Sequence, residues 1–302
     1  MSETQGKTVQ TFILKDGRKL GYAEYGVSNG IPIFYMHIYI GSRLSGKVVE
    51  EEAIKQGVRI ISVDRPGMGL SDFKPNRTLL DFPNDLVELA DYLKIDKFSV
   101  VAVSGGGPYA YACAYKIPDR IHKIGVISAM GPMWLNKKGM KLKGRIIFFF
   151  ARYFYSFYKF MIWLMIAKKT KNVEEESHWK EFVKIWSNEL IPQDKEILST
   201  NKWVSKVLWE QLVEAFRQGI EGPAYDGKVL ASEWGFSPQD ISPDVPVYIW
   251  HAELDNIIPI NVSKVLAQQI PNVKTKFYKD KAHFTTVLTI IDDLVEELIT
   301  YK

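Results

Sequence analysis

A serine separates a run of β-branched residues from a cluster of glycines in the first half of the chain. Residues 98–103 read FSVVAV, which is typical of a buried strand, and Ser104 is followed by glycines at positions 105–107. With Ala102 in place of the first glycine, this is the G-x-S-x-G pattern of the nucleophile elbow, a sharp turn from strand to helix. An ordinary strand–helix turn is the alternative. In an elbow, the serine could attack a carbonyl carbon once a base has removed its proton.

Acyl transfer also needs hydrogen-bond donors for the oxyanion of the tetrahedral intermediate. The backbone N–H of Gly105 follows the serine directly and stands at the start of a predicted helix. Free N–H groups and the helix dipole favour an anion at that position. A second backbone donor is expected in the loop after the third strand, residues 37–43.

The base and its orienting acid are expected in the loops that follow the last strands. Asp255 follows the predicted strand 245–250, and His283 follows the predicted strand 274–278. The order serine, aspartate, histidine is that of the elbow-containing hydrolases. Three further carboxylates are alternatives for the acid: Asp226, Glu253 and Asp280.

The remaining histidines and the single cysteine do not indicate a metal site. No two of the five histidines have the spacing of zinc ligands, and Cys113 is the only cysteine. His37 and His251 end or follow strands, and we interpret them as structural. We therefore expect neither a metal ion nor another cofactor.

Length and composition indicate a globular protein with one large domain or a core with an inserted module. The chain has 302 residues and a net charge of +4 that is spread along it, so nothing favours nucleic acid as a partner. One cysteine excludes an intrachain disulfide and fits a reducing compartment. The first ten residues, MSETQGKTVQ, are polar and unlike a signal peptide. We therefore expect a cytoplasmic protein.

Strand and helix patterns that alternate along the chain predict an α/β fold. A hairpin comes first, with strands 8–15 and 19–25 joined by Asp16-Gly17. The alternation that follows is typical of a mostly parallel sheet with helices on both faces. The other predicted strands are 31–38, 58–63, 98–103, 123–129, 245–250 and 274–278, and helices are predicted at 44–56, 261–269 and 284–301.

A helical and aromatic segment interrupts this alternation. Residues 131–235 hold seven of the eight tryptophans, and they predict a helical cap inserted into a core of residues 1–130 and 236–302. Such a cap would lie over the carboxyl edge of the sheet, where ligands of open α/β sheets bind. Most of the tryptophans are expected to fill the cap's own core. Trp134 and Trp234 are our candidates for lining an apolar substrate pocket.

One stretch of this cap is long and apolar enough to be considered as a membrane-associated helix. Residues 146–167 have the length of a bilayer span, but they include Arg152 and Lys159. With Ser156 between them, these side chains would form one polar stripe on a single helix. A buried cap helix is the first interpretation. A helix in the membrane interface, which gives a peripheral membrane contact, is the second, and a transmembrane span is the third.

Taken together, these motifs resemble the α/β-hydrolase fold superfamily, in particular the capped proteins related to bacterial esterases and non-haem haloperoxidases. The resemblance implies that Ser104 is the nucleophile, Asp255 the acid and His283 the base. It also implies that the backbone N–H of Tyr39 completes the oxyanion hole with that of Gly105. The matching stretches are 41–43 (GSR), 64–71 (DRPGMGLS), 103–110 (VSGGGPYA), 250–255 (WHAELD) and 282–284 (AHF).

The sequence therefore predicts a serine hydrolase that cleaves carboxylic esters of apolar acyl or aromatic substrates through an acyl-enzyme. One alternative is different chemistry on the same triad, such as cleavage of lysophospholipids or C–C bonds, or perhydrolysis. A second alternative is a pseudo-hydrolase that binds a small apolar ligand. It is motivated by three residues that stand where the family has glycine: Ile38, Ala252 and Ala282. In the same loop as Ile38, Ile40 stands where the family has proline. If the loop needs a left-handed residue at 38, isoleucine would strain it.

Overall fold

The computed structural model describes residues 8–136, 140–170, 177, 180, 183–184 and 190–300. Predictions that involve residues 1–7, Trp179, Trp186 or residue 301 lie outside this part of the chain. Its strands are β1 (Gln10–Ile13), β2 (Lys19–Gly26), β3 (Ile31–Met36), β4 (Val58–Val63), β5 (Phe98–Val103), β6 (Ile121–Ile127), β7 (Val247–Ala252) and β8 (Val273–Tyr278).

Twelve α-helices accompany these strands within the described ranges. They are α1 (Glu50–Lys55), α2 (Phe82–Tyr92), α3 (Gly107–Lys116), α4 (Met133–Asn136), α5 (Leu142–Tyr153), α6 (Tyr155–Met165), α7 (Pro192–Thr200), α8 (Lys202–Ala215), α9 (Glu221–Ala231), α10 (Asn261–Gln269), α11 (His283–Thr289) and α12 (Ile291–Ile299). Short 3₁₀ segments occur at Arg43–Val49, Leu79–Asp81, Ser104–Gly106, Pro118–Arg120, Ala167–Thr170 and Pro238–Asp240.

The eight strands of the described chain form one sheet in the order β1-β2-β4-β3-β5-β6-β7-β8. β2 pairs antiparallel with both β1 and β4, and the other strand pairs are parallel. The hairpin turns at Gly17, whose φ of 87° suits glycine. The predicted α/β-hydrolase fold, with its mostly parallel sheet, is confirmed.

Successive side chains of the central strands pack on opposite faces of the sheet. On one face Val100 and Ala102 of β5 join a core with α2, α3 and α10. On the other face Val101 and Val103 pack with residues of α1 and α12. Because both faces are covered, the central strands read as unbroken apolar runs.

The helices α4 to α9 lie between β6 and β7 in the chain, and we call this segment the helical insertion. Part of it packs around a third cluster that includes Tyr158, Trp209 and Ala224. Contacts join it to the carboxyl edge of the sheet, since Arg65 after β4 pairs with Asp226 of α9. The division into a core of residues 1–130 and 236–302 and a cap of residues 131–235 remains a prediction.

The long apolar stretch at 146–167 does not form one helix. α5 ends at Tyr153 and α6 begins at Tyr155, with Phe154 between them at φ −132° and ψ 59°. The single polar stripe predicted for Arg152, Ser156 and Lys159 is therefore wrong. Arg152 pairs with Glu233, two residues after α9, and Lys159 pairs with Glu221, the first residue of α9. The break allows both helices to pack against α9.

Two further predictions about helices need correction. The predicted helix 44–56 begins as the 3₁₀ segment Arg43–Val49 and becomes α-helical only from Glu50. The final helix is divided at Ile290 into α11 and α12. Among the described residues, no helix has the length and apolar character needed to cross a membrane.

Candidate active site

Ser104 stands at the turn between β5 and α3. Its φ of 52° lies in the left-handed region, which a non-glycine residue occupies at a cost of about 1–3 kcal/mol. The surroundings hold the turn, since the N–H of Met130 donates to the Ser104 carbonyl at 3.0 Å. The side chain is 8% exposed. This is the strand–turn–helix geometry that the sequence pattern predicts.

The glycines after the serine are required by close approaches to neighbouring backbone. A Cβ on Gly105 would lie 2.6 Å from the Tyr39 Cβ and 2.8 Å from the Tyr39 nitrogen. A Cβ on Gly106 would lie 2.5 Å from the Met36 carbonyl oxygen. The loop after β3 therefore packs directly on the turn, and the backbones of Gly105 and Tyr39 are neighbours.

Asp255, in the loop after β7, and His283, the first residue of α11, meet at the carboxyl edge of the sheet. His283 Nδ1 lies 2.7 Å from Asp255 Oδ2, and both residues are buried. The other carboxylate oxygen accepts hydrogen bonds from the backbone N–H groups of Ile257 and Ile258 at 2.9 and 2.8 Å. These bonds fix the carboxylate toward the imidazole.

The three alternative acids lie elsewhere. Glu253 and Asp280 are exposed to solvent. Asp226 is buried and is engaged by Arg65 and Arg77. Of the four carboxylates considered, Asp255 is the one that the structure brings to His283.

The pKa values of this pair move apart because each stabilises the charge of the other. Burial alone would raise the pKa of the Asp255 carboxyl, but His283 and hydrogen bonds from His251 and His283 hold it well below its usual value. Burial alone would lower the pKa of His283, but the charge and hydrogen bond of Asp255 raise it above its usual value. Asp255 is therefore ionised, and the imidazole is prepared to accept a proton.

His251, which we interpret from the sequence as structural, supports the loop of Asp255. Its Nδ1 lies 2.7 Å from the Ser263 hydroxyl and its Nε2 lies 2.9 Å from the Ile258 carbonyl oxygen. The carbonyl can only accept, so Nε2 carries a proton and donates to it. His251 Nε2 also lies 3.4 Å from Asp255 Oδ2, and the ring thus supports the loop that carries the acid. In the sequence, the feature that could have indicated this role is the position of His251, four residues before Asp255.

The loop after β3 is held by Arg65. This guanidinium donates to the carbonyl oxygens of His37 and Ile38 at 2.7 and 2.9 Å. The side chain of Tyr39 extends toward the helical insertion, where its hydroxyl contacts the Tyr158 hydroxyl and lies 3.3 Å from the Pro223 carbonyl oxygen. The backbone position proposed for an oxyanion donor is therefore tied to both the sheet and the insertion.

The condition for strain at position 38 is not met, because the left-handed residue of this loop is Ile40. Ile40 has φ 52° and is 1% exposed, whereas Ile38 is not among the described non-glycine residues with positive φ. Proline, with φ fixed near −65°, could not take this conformation at position 40. Ala282 has φ −119°, and Ala252 lies within β7, so neither needs the freedom of glycine. The loop is thus built differently from the family pattern rather than strained at 38.

A cavity of about 340 Å³ adjoins these residues. Ser104 and His283 both line it, together with Tyr39 and mostly apolar side chains of the helical insertion. From α5 and α6 these include Ile147, Phe148, Met161, Ile162 and Met165. The volume falls in the range of about 300–1,000 Å³ that is usual for small-molecule sites.

Trp134 and Trp234 do not line this cavity, which corrects our candidates for the substrate pocket. Trp134 is 54% exposed on α4. Trp234 is buried and packs against Tyr111 and Phe236, at ring-centroid distances of 5.5 and 5.3 Å. The apolar surface of the cavity comes instead mainly from isoleucine and methionine side chains, with Phe148 and Phe284.

Metal-ligating side chains are not clustered in the described ranges. No group of three or more histidine, cysteine, aspartate or glutamate residues among them could hold a metal ion.

Comparison with protein families shows the family to which the chain belongs. Residues 45–287 match the sequence model of the family described as alpha/beta hydrolase fold. The chain is 34% identical over 134 residues to an uncharacterized hydrolase, YcgS, of Bacillus subtilis, a match that spans 42% of this chain and 45% of that protein. It is 26% identical over 297 residues to the bifunctional esterase/perhydrolase DCH of Acinetobacter calcoaceticus, covering 93% of this chain and 96% of that one.

Solved structures show the same fold. An esterase from Exiguobacterium antarcticum superposes with a TM-score of 0.69 at 15% identity, covering 97% of this chain and all of that one. An esterase from Thermogutta terrifontis superposes with a TM-score of 0.66 at 19% identity, covering 97% of this chain and 99% of that one.

Proposed function

Because the chain belongs to the alpha/beta hydrolase fold family, we propose that it is a serine hydrolase of carboxylic esters. Ser104 is the nucleophile, His283 the general base and Asp255 the acid that orients it. The observation that carries this proposal is the 2.7 Å contact between His283 Nδ1 and Asp255 Oδ2 beside a cavity that Ser104 also lines.

The proposed reaction follows from which atoms are already engaged. Asp255 occupies His283 Nδ1, so Nε2 is the nitrogen left to take the proton of Ser104. The serine oxygen attacks the ester carbonyl, and the backbone N–H groups of Gly105 and Tyr39 donate to the oxyanion. His283 then protonates the departing alcohol. A water molecule, deprotonated by His283, releases the acid and restores the serine.

The lining of the cavity supports apolar substrates. Side chains such as Ile147, Phe148 and Met161 would contact the acyl or aromatic portion of an ester. These contacts would remove apolar surface of both the protein and the ester from water, which favours binding. The relative from Acinetobacter calcoaceticus is named an esterase and perhydrolase, which supports ester chemistry on this fold. We therefore propose esters with medium or long acyl chains, or with aromatic groups, as substrates.

Labelling with a fluorophosphonate probe tests the proposed nucleophile. The wild-type protein should become labelled, and Ser104→Ala and His283→Ala should not. Ser199→Ala, on the exposed surface of α7, is the matched control and should label normally. Failure of the folded wild-type protein to react would overturn the serine hydrolase and favour a pseudo-hydrolase that binds an apolar ligand.

A panel of p-nitrophenyl esters tests the substrate class. We expect kcat/KM to rise from acetate toward longer acyl chains, and to fall by about 10⁴-fold or more in Ser104→Ala. Highest turnover with short, charged acids would contradict the proposed apolar specificity, although it would leave the triad in place.

A further inference from the structure

The outer faces of α5 and α6 expose a large apolar surface. Nine of the exposed large hydrophobic side chains in the described ranges fall between residues 142 and 164. We call them the outer apolar face: Leu142, Ile146, Phe149, Tyr153, Phe154, Phe157, Phe160, Trp163 and Leu164. Single exposed apolar residues are common, but a concentration of this kind marks an interaction surface. The first interpretation of this segment, a buried cap helix, is therefore wrong for the outer sides of α5 and α6.

These side chains form one continuous surface rather than isolated points. On α5, Leu142, Ile146, Phe149 and Tyr153 recur at the spacing of one helical face. The ring of Phe149 lies 5.7 Å from that of Phe154, which separates the two helices. Phe160 and Trp163 of α6 are stacked with ring centroids 6.0 Å apart. The exposed face thus crosses from one helix to the next.

The charged side chains that α5 and α6 themselves carry are all basic, and two of them, Arg152 and Lys159, pair with Glu233 and Glu221. Residues 120–173 contain no aspartate or glutamate. Five exposed basic residues stand near the two ends of the helix pair: Lys141, Lys143, Arg145, Lys168 and Lys169. An apolar face with basic margins is complementary to a membrane surface that carries anionic lipids.

The opposite faces of the same helices line the cavity of the candidate active site. Ile147 and Phe148 of α5 and Met161 and Met165 of α6 point into it. Lys141, Lys143 and Lys169 line the cavity and are also exposed, so the cavity reaches the surface beside them. Its mouth is therefore next to the basic margins of the outer apolar face.

We propose that the outer apolar face binds the surface of an anionic lipid bilayer, with α5 and α6 lying in the plane of the interface. The helices have 12 and 11 residues, far short of the roughly 20 that a span requires. Docking brings the cavity mouth to the bilayer, where amphiphilic esters are held. This last step rests on the proposed ester hydrolase activity, whereas the docking itself does not.

A second copy of the chain is the less favourable occupant of this face. In a twofold dimer the same patch would meet itself. That arrangement would bring the basic margins of two copies together and set like charges against each other. Anionic headgroups would neutralise these margins, and the aromatic rings would enter the region between headgroups and acyl chains.

Sedimentation of the full-length protein with vesicles tests the docking surface. Binding to vesicles of phosphatidylcholine with phosphatidylglycerol should be more than about tenfold tighter than to phosphatidylcholine alone, and added salt should weaken it. The variant Phe149→Ser/Phe157→Ser/Phe160→Ser should bind about tenfold more weakly or worse. A matched triple variant at exposed apolar residues elsewhere, Ile13→Ser/Ile54→Ser/Trp203→Ser, should bind like the wild type.

Two activity measurements separate docking from catalysis. The Phe149/Phe157/Phe160 variant should hydrolyse a short soluble ester at the wild-type rate, which also shows that it is folded, but should lose turnover of a long-chain ester presented in vesicles. Ser104→Ala should bind vesicles like the wild type. Vesicle binding without fluorophosphonate labelling would keep the docking surface and reject the serine hydrolase.

Three results would overturn the proposal. The first is no binding of the wild type to either vesicle, and the second is equal binding by the Phe149/Phe157/Phe160 variant. The third is a dimer in sedimentation equilibrium that this variant abolishes and that anionic vesicles do not dissociate. That result would assign the outer apolar face to a second copy of the chain.

Discussion

Arg65 and Asp226 form a buried ion pair, with Nη2 and Oδ2 2.9 Å apart and side chains that are 1% and 0% exposed. Arg65 follows β4, and Asp226 lies on α9, so the pair joins the sheet edge to the helical insertion. The same guanidinium binds the carbonyl oxygens of His37 and Ile38, directly before Tyr39. One charged group therefore holds the insertion and the proposed oxyanion loop in a fixed relation.

Asp226→Asn should lower the free energy of unfolding by about 3–5 kcal/mol, because it leaves buried cations without their counterion. Arg77 also pairs with this carboxylate at 3.1 Å, and the Tyr109 hydroxyl donates to it at 2.6 Å. Burial alone would raise the pKa of Asp226, but Arg65 and Arg77 hold it below its usual value, so the carboxylate is charged at neutral pH. Urea denaturation measures the loss.

Asp293→Asn is the matched control for this loss. Asp293 pairs with Lys276, and both side chains are about half exposed, so the variant should change the free energy of unfolding by less than about 1 kcal/mol. Equal losses in the two variants would show that the buried network contributes nothing beyond an ordinary surface pair.

The pH dependence of kcat/KM should show an ascending limb with its midpoint above the usual pKa of histidine, because His283 must be neutral to act as base and its pKa is raised. Asp255→Asn removes the charge that raises this pKa, leaving burial, which lowers it. The midpoint of the residual activity should move to lower pH, and kcat should fall on the order of 10⁴-fold. Steady-state rates on a soluble ester between pH 5 and 9 measure both effects.

Asp280→Asn is the control for the pH profile, since Asp280 is exposed in the loop before His283. It should leave both the midpoint and kcat unchanged. If Asp280→Asn moved the midpoint and Asp255→Asn did not, the role of orienting acid would have to be reassigned.

Much of the sheet could be predicted because its apolar runs have clear boundaries. β4 occupies the predicted residues 58–63, between Gly57 with φ 68° and the polar loop that begins at Asp64. α10 likewise occupies the predicted residues 261–269. Local patterns are informative here because burial and local preference agree.

The features that the sequence did not reveal depend on contacts between distant segments. No glycine or proline marks the break at Phe154, which accompanies the packing of α5 and α6 on α9. The left-handed conformation falls on Ile40, against the preference of a β-branched residue, because its side chain is buried in the cluster shared with the helical insertion. Local preferences cannot foresee either outcome.

Gly105→Ala should lower kcat by about 100-fold or more, because the added Cβ meets the backbone of Tyr39 and displaces one proposed oxyanion donor from the other. Gly17→Ala is the matched control. Its φ of 87° makes alanine unfavourable, but no atom lies within 4 Å of the new Cβ. It should lower the melting temperature and leave kcat unchanged, which separates lost stability from lost catalysis. An active Gly105→Ala variant would argue against this oxyanion geometry.

Ile38→Gly should not raise activity, even though glycine is the residue that the family pattern has at this position. Ile38 does not occupy the left-handed region, so glycine relieves no strain there. Glycine is also more flexible in the unfolded chain, which lowers the free energy of unfolding by about 0.5–1 kcal/mol. It also removes a side chain that packs against the sheet core.

Ile40→Gly would relieve a φ of 52° but remove a fully buried side chain, and the packing loss of about 2–5 kcal/mol exceeds the strain. Both variants should therefore melt at lower temperature than the wild type, and kcat on a short ester should not rise in either. A higher kcat in Ile38→Gly would mean that the loop takes a left-handed residue at 38 during catalysis.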